Sequence, residues 1–216
     1  MIKAMVFDLG GVLFAEGKSV ALEQLSHQYG YDRKIVGRIL SSPESMALRQ
    51  GLLSDGEFWR WAQKQLPPAY DAALIKERWY DGYVLDSDIF QLILALRDRY
   101  RIIAFSGNIR SRVEFLEQKY HFRHLFHLEI YSFDHHVTKP SREFVQILIA
   151  KSGVKPAEVV YVDDNEAYAR PARELGINVV IYARGQIRKL REEFGQFGIQ
   201  ISQNSCHPLD PQGERS

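Results

Sequence analysis

Five short apolar runs, rich in β-branched and aromatic residues, restrict this chain to one class of architecture. They are KAMVFD (3–8), RIIAFS (101–106), HLEIYS (127–132), EVVYVDD (158–164) and NVVIYA (178–183). Helical patterns separate them: SREFVQILIAKSG opens on Ser141 as a predicted N-cap and closes on Gly153, and EAYARPARELG closes on Gly176. Alternation of this kind predicts an α/β fold in which the strands run parallel and the helices cross over between them.

The spacing then breaks in one place. About ninety residues separate the first run from the second, far more than one crossover helix requires. The intervening stretch, 16–87, reads as helical throughout. SDGEFWRWAQKQL carries a capping box, Ser54 with Glu57 three residues on, and stops at Pro67-Pro68. VALEQLSHQYG and DAALIKERWYDGY follow the same logic, with Gly30 and Gly82 as C-terminal stops. The expected organisation is a Rossmann-like parallel sheet core of about five strands (1–15 and 88–201), an inserted helical cap (16–87) and a disordered tail (202–216). Trp59, Trp61 and Trp79 are read as core of the inserted helices.

Composition removes several function classes. With 45% hydrophobic and 25% charged residues over 216 positions, the chain can bury one good core plus an insert. A net charge of +1 leaves no footprint for nucleic acid or an anionic membrane, and no run approaches the roughly 18 apolar residues of a membrane span. A single cysteine, Cys206, excludes an intrachain disulfide framework, and the N-terminus lacks the pattern of a signal peptide. The expected setting is the cytoplasm, and the expected partner a small molecule.

Polar residues cluster where the apolar runs end. In open α/β sheets ligands bind beyond the carboxyl ends of the strands. Asp8 with Gly10 and Gly11 follows the first run; Ser106, Gly107 and Asn108 close the second; the third leads to Lys139-Pro140; Asp163, Asp164 and Asn165 close the fourth. A carboxylate nucleophile, a hydroxyl, a cation and an acidic pair suit a phosphate group with a hard divalent ion. The acids of the pair also have a local alternative, capping the helix that follows them. His135-His136 is left unassigned, because adjacent loop residues rarely aim at one ion.

These motifs resemble those of the haloacid dehalogenase (HAD) superfamily, in particular its phosphatase branch with a helical cap after the first strand. FDLGGVL resembles the first motif, FSGN the second, KPSREF the third and VYVDDN the fourth. The resemblance implies a Mg²⁺-dependent phosphomonoesterase acting on a small phosphorylated metabolite. Asp8 would be the nucleophile that becomes an aspartyl-phosphate, with Lys139 beside it. Leu9, Gly10, Ser106, Gly107, Asn108 and Lys139 would meet the phosphate. Mg²⁺ would sit on Asp8, the Gly10 carbonyl and Asp164, with Asp163 behind them or as an alternative ligand. The family's third motif often has glycine where His136 stands.

Gly10 departs from the commonest pattern, an acid two residues after the nucleophile that protonates the leaving group. Glycine there resembles sugar-phosphate phosphatases of this cap class, including those acting on α-glucose 1-phosphate, and so implies a sugar 1-phosphate as one candidate substrate. A 2-haloacid dehalogenase, which works without metal, and a weakly catalytic phosphate-binding or regulatory module are the alternatives. Lys18 and Arg49 are candidates to meet a second anionic or polyhydroxyl group, with exposed salt-bridging as the default.

Overall fold

In a computed structural model, which describes residues 1–199 and 201, all five runs form strands: β1 (Ala4–Phe7), β2 (Arg101–Ser106), β3 (Leu128–Tyr131), β4 (Val159–Asp163) and β5 (Asn178–Ile181). The expected tail, and Cys206 with it, lies outside the described residues. The strands form one wholly parallel sheet in the order β3-β2-β1-β4-β5, which places β1 at the centre.

Both faces of that sheet are covered, which explains why its strands read as unbroken apolar runs rather than alternating ones. Met5, Phe7, Ile102, Ala104, Val160 and Val162 pack into one apolar cluster. Their neighbours Ala4, Val6, Ile103, Phe105, Val159 and Tyr161 pack into a second on the opposite face. Helices α8 (Arg142–Ser152) and α9 (Glu166–Glu174) close the second cluster, contributing Phe144, Leu148 and Ala169. The first cluster extends under α6 (Ser87–Leu96), α7 (Arg110–Tyr120) and α10 (Ile187–Gln196) and into the insert.

The insert folds as five helices: α1 (Gly17–Tyr29), α2 (Arg33–Leu40), α3 (Pro43–Arg49), α4 (Asp55–Gln65) and α5 (Ala72–Asp81). The capping box at Ser54 and Glu57 is formed in both directions, and α4 ends just before Pro67-Pro68. Gly30 and Gly153 end α1 and α8 in the left-handed conformation, as predicted. Gly82 does not: its φ is −62°, and its missing side chain serves a different purpose. A Cβ there would stand 2.6 Å from the Gly17 carbonyl oxygen, and a Cβ on Gly17 would strike the Tyr83 ring. The two glycines therefore let the start of α1 and the end of α5 touch backbone to backbone. Beside them the entering and leaving chains pair, with the Ala15 amide donating to the Val84 carbonyl and the Asp86 amide to that of Leu13, both at 2.8 Å. Trp79 is fully buried, and Trp59 and Trp61 pack partly buried against the same core.

Candidate active site

The carboxyl edge of the sheet brings together residues that are far apart in sequence. Asp8 is the first residue past β1, its amide still donating to Val162 of β4 at 3.0 Å. Ser106 ends β2, Asp163 ends β4 with Asp164 next to it, and Lys139 comes from the loop between β3 and α8. Lys139 Nζ stands 3.0 Å from Asp8 Oδ2 and 2.8 Å from Asp163 Oδ2. All three groups are buried; Asp163 is wholly inaccessible and Lys139 only 6% exposed.

Charges removed from water perturb one another strongly. Burial, reinforced by the Asp163 charge, holds the Asp8 carboxyl above the ordinary carboxylate range against the pull of Lys139 and a hydrogen bond from Ser106. Burial also opposes ionisation of Asp163, but there the Lys139 ammonium, the Tyr161 hydroxyl and the Asn165 amide outweigh it, and the group is held below its usual range. Asp164 keeps a solvent-facing edge; loss of hydration at the cleft wall, with Asp8 and Asp163 nearby, pushes its carboxyl up to about 7. Burial works against the Lys139 charge, yet Asp163 and Asp8 more than offset it and stabilise the ammonium.

The acids divide by what their oxygens already hold. Asp163 is engaged by Lys139, by the Tyr161 hydroxyl and, at 2.8 Å, by the Asn165 amide. Asp164 has no such partners among the described residues, and one oxygen from each of Asp8, Asp163 and Asp164 lies within 4.8 Å of the others. Three carboxylates around one lysine leave an excess of negative charge that suits a hard divalent cation. The second glycine of the opening motif makes room for this: a Cβ on Gly11, whose φ is +83°, would lie 2.0 Å from Asp164 Oδ2. Neither acid caps α9. Asn165 does so instead, accepting from the Ala167 and Tyr168 amides.

Around the cluster the other sequence candidates take distinct places. Gly10, Ser106, Gly107 and Asn108 line a cleft of about 450 Å³ that also exposes Asp8, Lys139 and Asp164. Asn108 turns its Oδ1 inward, accepting from the Ile109 amide at 2.9 Å and from Arg112 Nε at 2.8 Å, which orients the loop after β2. Leu9 is buried, and its amide donates to Asp8 Oδ1 at 2.7 Å, fixing the carboxylate's orientation. His136 has a φ of 56°, the conformation glycine favours, and its Nδ1 meets the Gln50 carbonyl at 2.9 Å.

Several contributors were invisible in sequence. Tyr161 reads as a strand residue, yet from two positions earlier on the same face of β4 its hydroxyl donates to Asp163. Tyr83 reads as the end of a helix, but its ring fills the space beside Gly10, where a Cβ would stand 3.2 Å from Cε1 and 3.7 Å from the hydroxyl oxygen. Arg112 is wholly buried with its guanidinium carbon 4.3 Å from the Tyr83 ring centroid and 4.7 Å from that of Trp79. Only the assembled fold puts these side chains together.

A parallel sheet whose carboxyl edge gathers three aspartates, a lysine and a serine in a polar cleft has the layout of an α/β enzyme with its site at the strand ends. The chain belongs to the haloacid dehalogenase-like hydrolases, whose family model matches residues 2–176. It is 38% identical to an uncharacterised protein of Dictyostelium discoideum over 89% of this chain and 96% of that one. Among solved structures it is similar to a HAD family enzyme of Bacteroides thetaiotaomicron in complex with magnesium and inorganic phosphate, with 22% identity, a TM-score of 0.73 and coverage of 86% and 96% of the two chains. It is also similar to the L-2-haloacid dehalogenase of Xanthobacter autotrophicus with chloropropionic acid covalently bound, with 23% identity, a TM-score of 0.63 and coverage of 91% and 83%. Among the described residues no helix is long and apolar enough to cross a membrane.

Proposed function

We propose that this hydrolase is a Mg²⁺-dependent phosphomonoesterase of the cytoplasm that acts on a small phosphorylated metabolite, with a sugar 1-phosphate as one candidate, and that the five inserted helices serve as its cap. The observation that carries this reading is the acid cluster of Asp8, Asp163 and Asp164, mutually within 4.8 Å and set beside Lys139. A metal-independent dehalogenase has no use for the uncommitted carboxylate of Asp164. The magnesium and phosphate bound by the Bacteroides enzyme support the same reading.

The residues divide the work by position. Mg²⁺ would be held by Asp8, Asp164 and the Gly10 carbonyl, with Asp163 behind them, and would screen the repulsion between the aspartate and a phosphate dianion. Asp8, oriented through the Leu9 amide, attacks phosphorus; the P–O bond to the alcohol breaks as an aspartyl-phosphate forms, and water later releases phosphate from it. Lys139 and Ser106 face the charge that develops on the phosphoryl oxygens. Position 10 offers no acid to protonate the departing oxygen, so esters with good leaving groups are favoured. A panel of phosphorylated metabolites assayed with Mg²⁺ and with EDTA tests the reading: turnover should require the metal. Metal-independent halide release from 2-chloropropionate, without phosphatase activity, would overturn it.

A further inference from the structure

The wall of the cleft opposite the acid cluster carries charge of the other sign. Lys18 at the start of α1 and Arg49 at the end of α3 both line the cleft. Among the described residues neither has a carboxylate within ion-pairing distance, so the default expectation of exposed salt-bridging does not hold for them. Lys139, by contrast, is neutralised on two sides.

Arg49 is held in place rather than left free. Its carbonyl accepts from Ser132 Oγ at 2.6 Å, its Nη1 donates to the Gly107 carbonyl at 3.1 Å, and its guanidinium carbon stands 5.4 Å from the Trp79 ring centroid. The remaining guanidinium nitrogens meet no acceptor among the described residues. Gly107 directly follows Ser106, so this cation is tied to the loop that faces the phosphate. Lys18 Nζ reaches Ser41 Oγ at 3.4 Å, and Ser42, whose oxygen accepts from the Ser45 amide, keeps its hydroxyl proton available. Glu16 is the one acid on this wall, and both its oxygens are committed to the Lys18 and Ser19 amides that begin α1.

We infer that Lys18 and Arg49 form a second anion subsite, and that the substrate is a phosphomonoester whose alcohol portion carries hydroxyl groups and a further negative charge, such as a carboxylate. This rests on the phosphomonoesterase reading and specifies its substrate class. The reasoning is complementarity: a guanidinium held in place and an ammonium beside it, neither of them ion-paired and with a hydroxyl nearby, recognise an anion through charge-assisted hydrogen bonds, and they give a neutral aglycone nothing equivalent. A cleft of about 450 Å³ holds a phosphate with a short polyol acid.

Matched pairs of esters isolate the extra charge. With Mg²⁺ present, glucuronic acid 1-phosphate should be turned over with kcat/KM at least about tenfold above glucose 1-phosphate, and galacturonic acid 1-phosphate likewise above galactose 1-phosphate. Arg49→Met and, separately, Lys18→Met should each lower the charged-to-neutral ratio about tenfold, and Arg49→Lys should recover part of it. Lys18 is half-exposed, so its variant keeps the test valid if loss of Arg49 unfolds the insert. Equal turnover within both pairs, or ratios unmoved by both Met variants, overturns the subsite while leaving the phosphatase intact. Failure to hydrolyse any ester of the panel with Mg²⁺ overturns both.

Discussion

Replacing Lys139 with methionine removes the one cation from between Asp8 and Asp163 while keeping most of the side-chain volume. At 3.0 and 2.8 Å, each ion pair has a gross attraction of about 5–6 kcal/mol at an effective dielectric of about 20. Part of that is returned, because the buried ammonium no longer has to be stripped of water. Breaking a buried pair by deleting one partner costs about 3–5 kcal/mol net, since the stranded carboxylates stay behind. Against a typical total of about 5–15 kcal/mol, Lys139→Met should forfeit about a fifth or more of the stability. The loss should depend on pH. Without the lysine both carboxylates have folded-state pKa values above their unfolded ones, so the variant is relatively most stable in acid and weakens as pH rises. In the parent Asp163 is held low, so its contribution persists until pH falls below about 4, while Asp8, already held high, works the other way in both proteins and largely drops out of the comparison. The gap between the two proteins is therefore widest at neutral pH and narrows toward pH 4. Urea unfolding in EDTA at pH 7 and pH 4.5 measures it. A loss under about 1 kcal/mol at pH 7, or a gap of constant size, would refute the reasoning.

Four further outcomes are expected. Asp8→Asn should abolish hydrolysis of an aryl phosphate and Ser106→Ala should reduce kcat/KM about tenfold, both read by steady-state kinetics on folded protein. Protons compete with metal at Asp164, so apparent Mg²⁺ affinity, followed by calorimetric titration, should rise up to about tenfold per pH unit below about 7 and level off above it. Gly10→Asp should cost about 1–3 kcal/mol through pressure on the Tyr83 ring; it should also flatten a plot of log rate against leaving-group pKa that is steep in the parent.

How much of this was legible beforehand follows from what sequence encodes locally. The strands were readable because a parallel sheet buried on both faces leaves continuous apolar runs, as in Ala4–Phe7. Asp8, Ser106, Lys139 and the Asp163-Asp164 pair were readable because each stands where such a run ends or in the loop that follows. Which acid was uncommitted was not, since that depends on Tyr161 reaching Asp163 and on Asn165 taking the cap. The same holds for Tyr83 beside Gly10: the contact joins residues 73 positions apart, and no local pattern marks it. Gly82 does stop α5 as its place in the sequence suggests, but the second reason for a glycine there, the close approach of Gly17, is one that no local pattern marks.

That glycine contact, with the paired segments beside it, closes the insert at its base. Entry and exit are stitched together at Ala15–Val84 and Leu13–Asp86, so β1 and α6 experience the five helices as a closed loop with fixed ends. The loops between the five helices can lengthen or shorten with little change in closure entropy, and the aspartates at the sheet edge keep their spacing. Under the proposed function, Lys18 and Arg49 sit inside the insert and the aspartates outside it, so recognition and bond cleavage would draw on different parts of the chain. An insert exchanged at residues 15 and 84 would have to bring its own cover for Arg112 and its own partners for Ser111, the places now taken by Trp79, Tyr80 and Asp55.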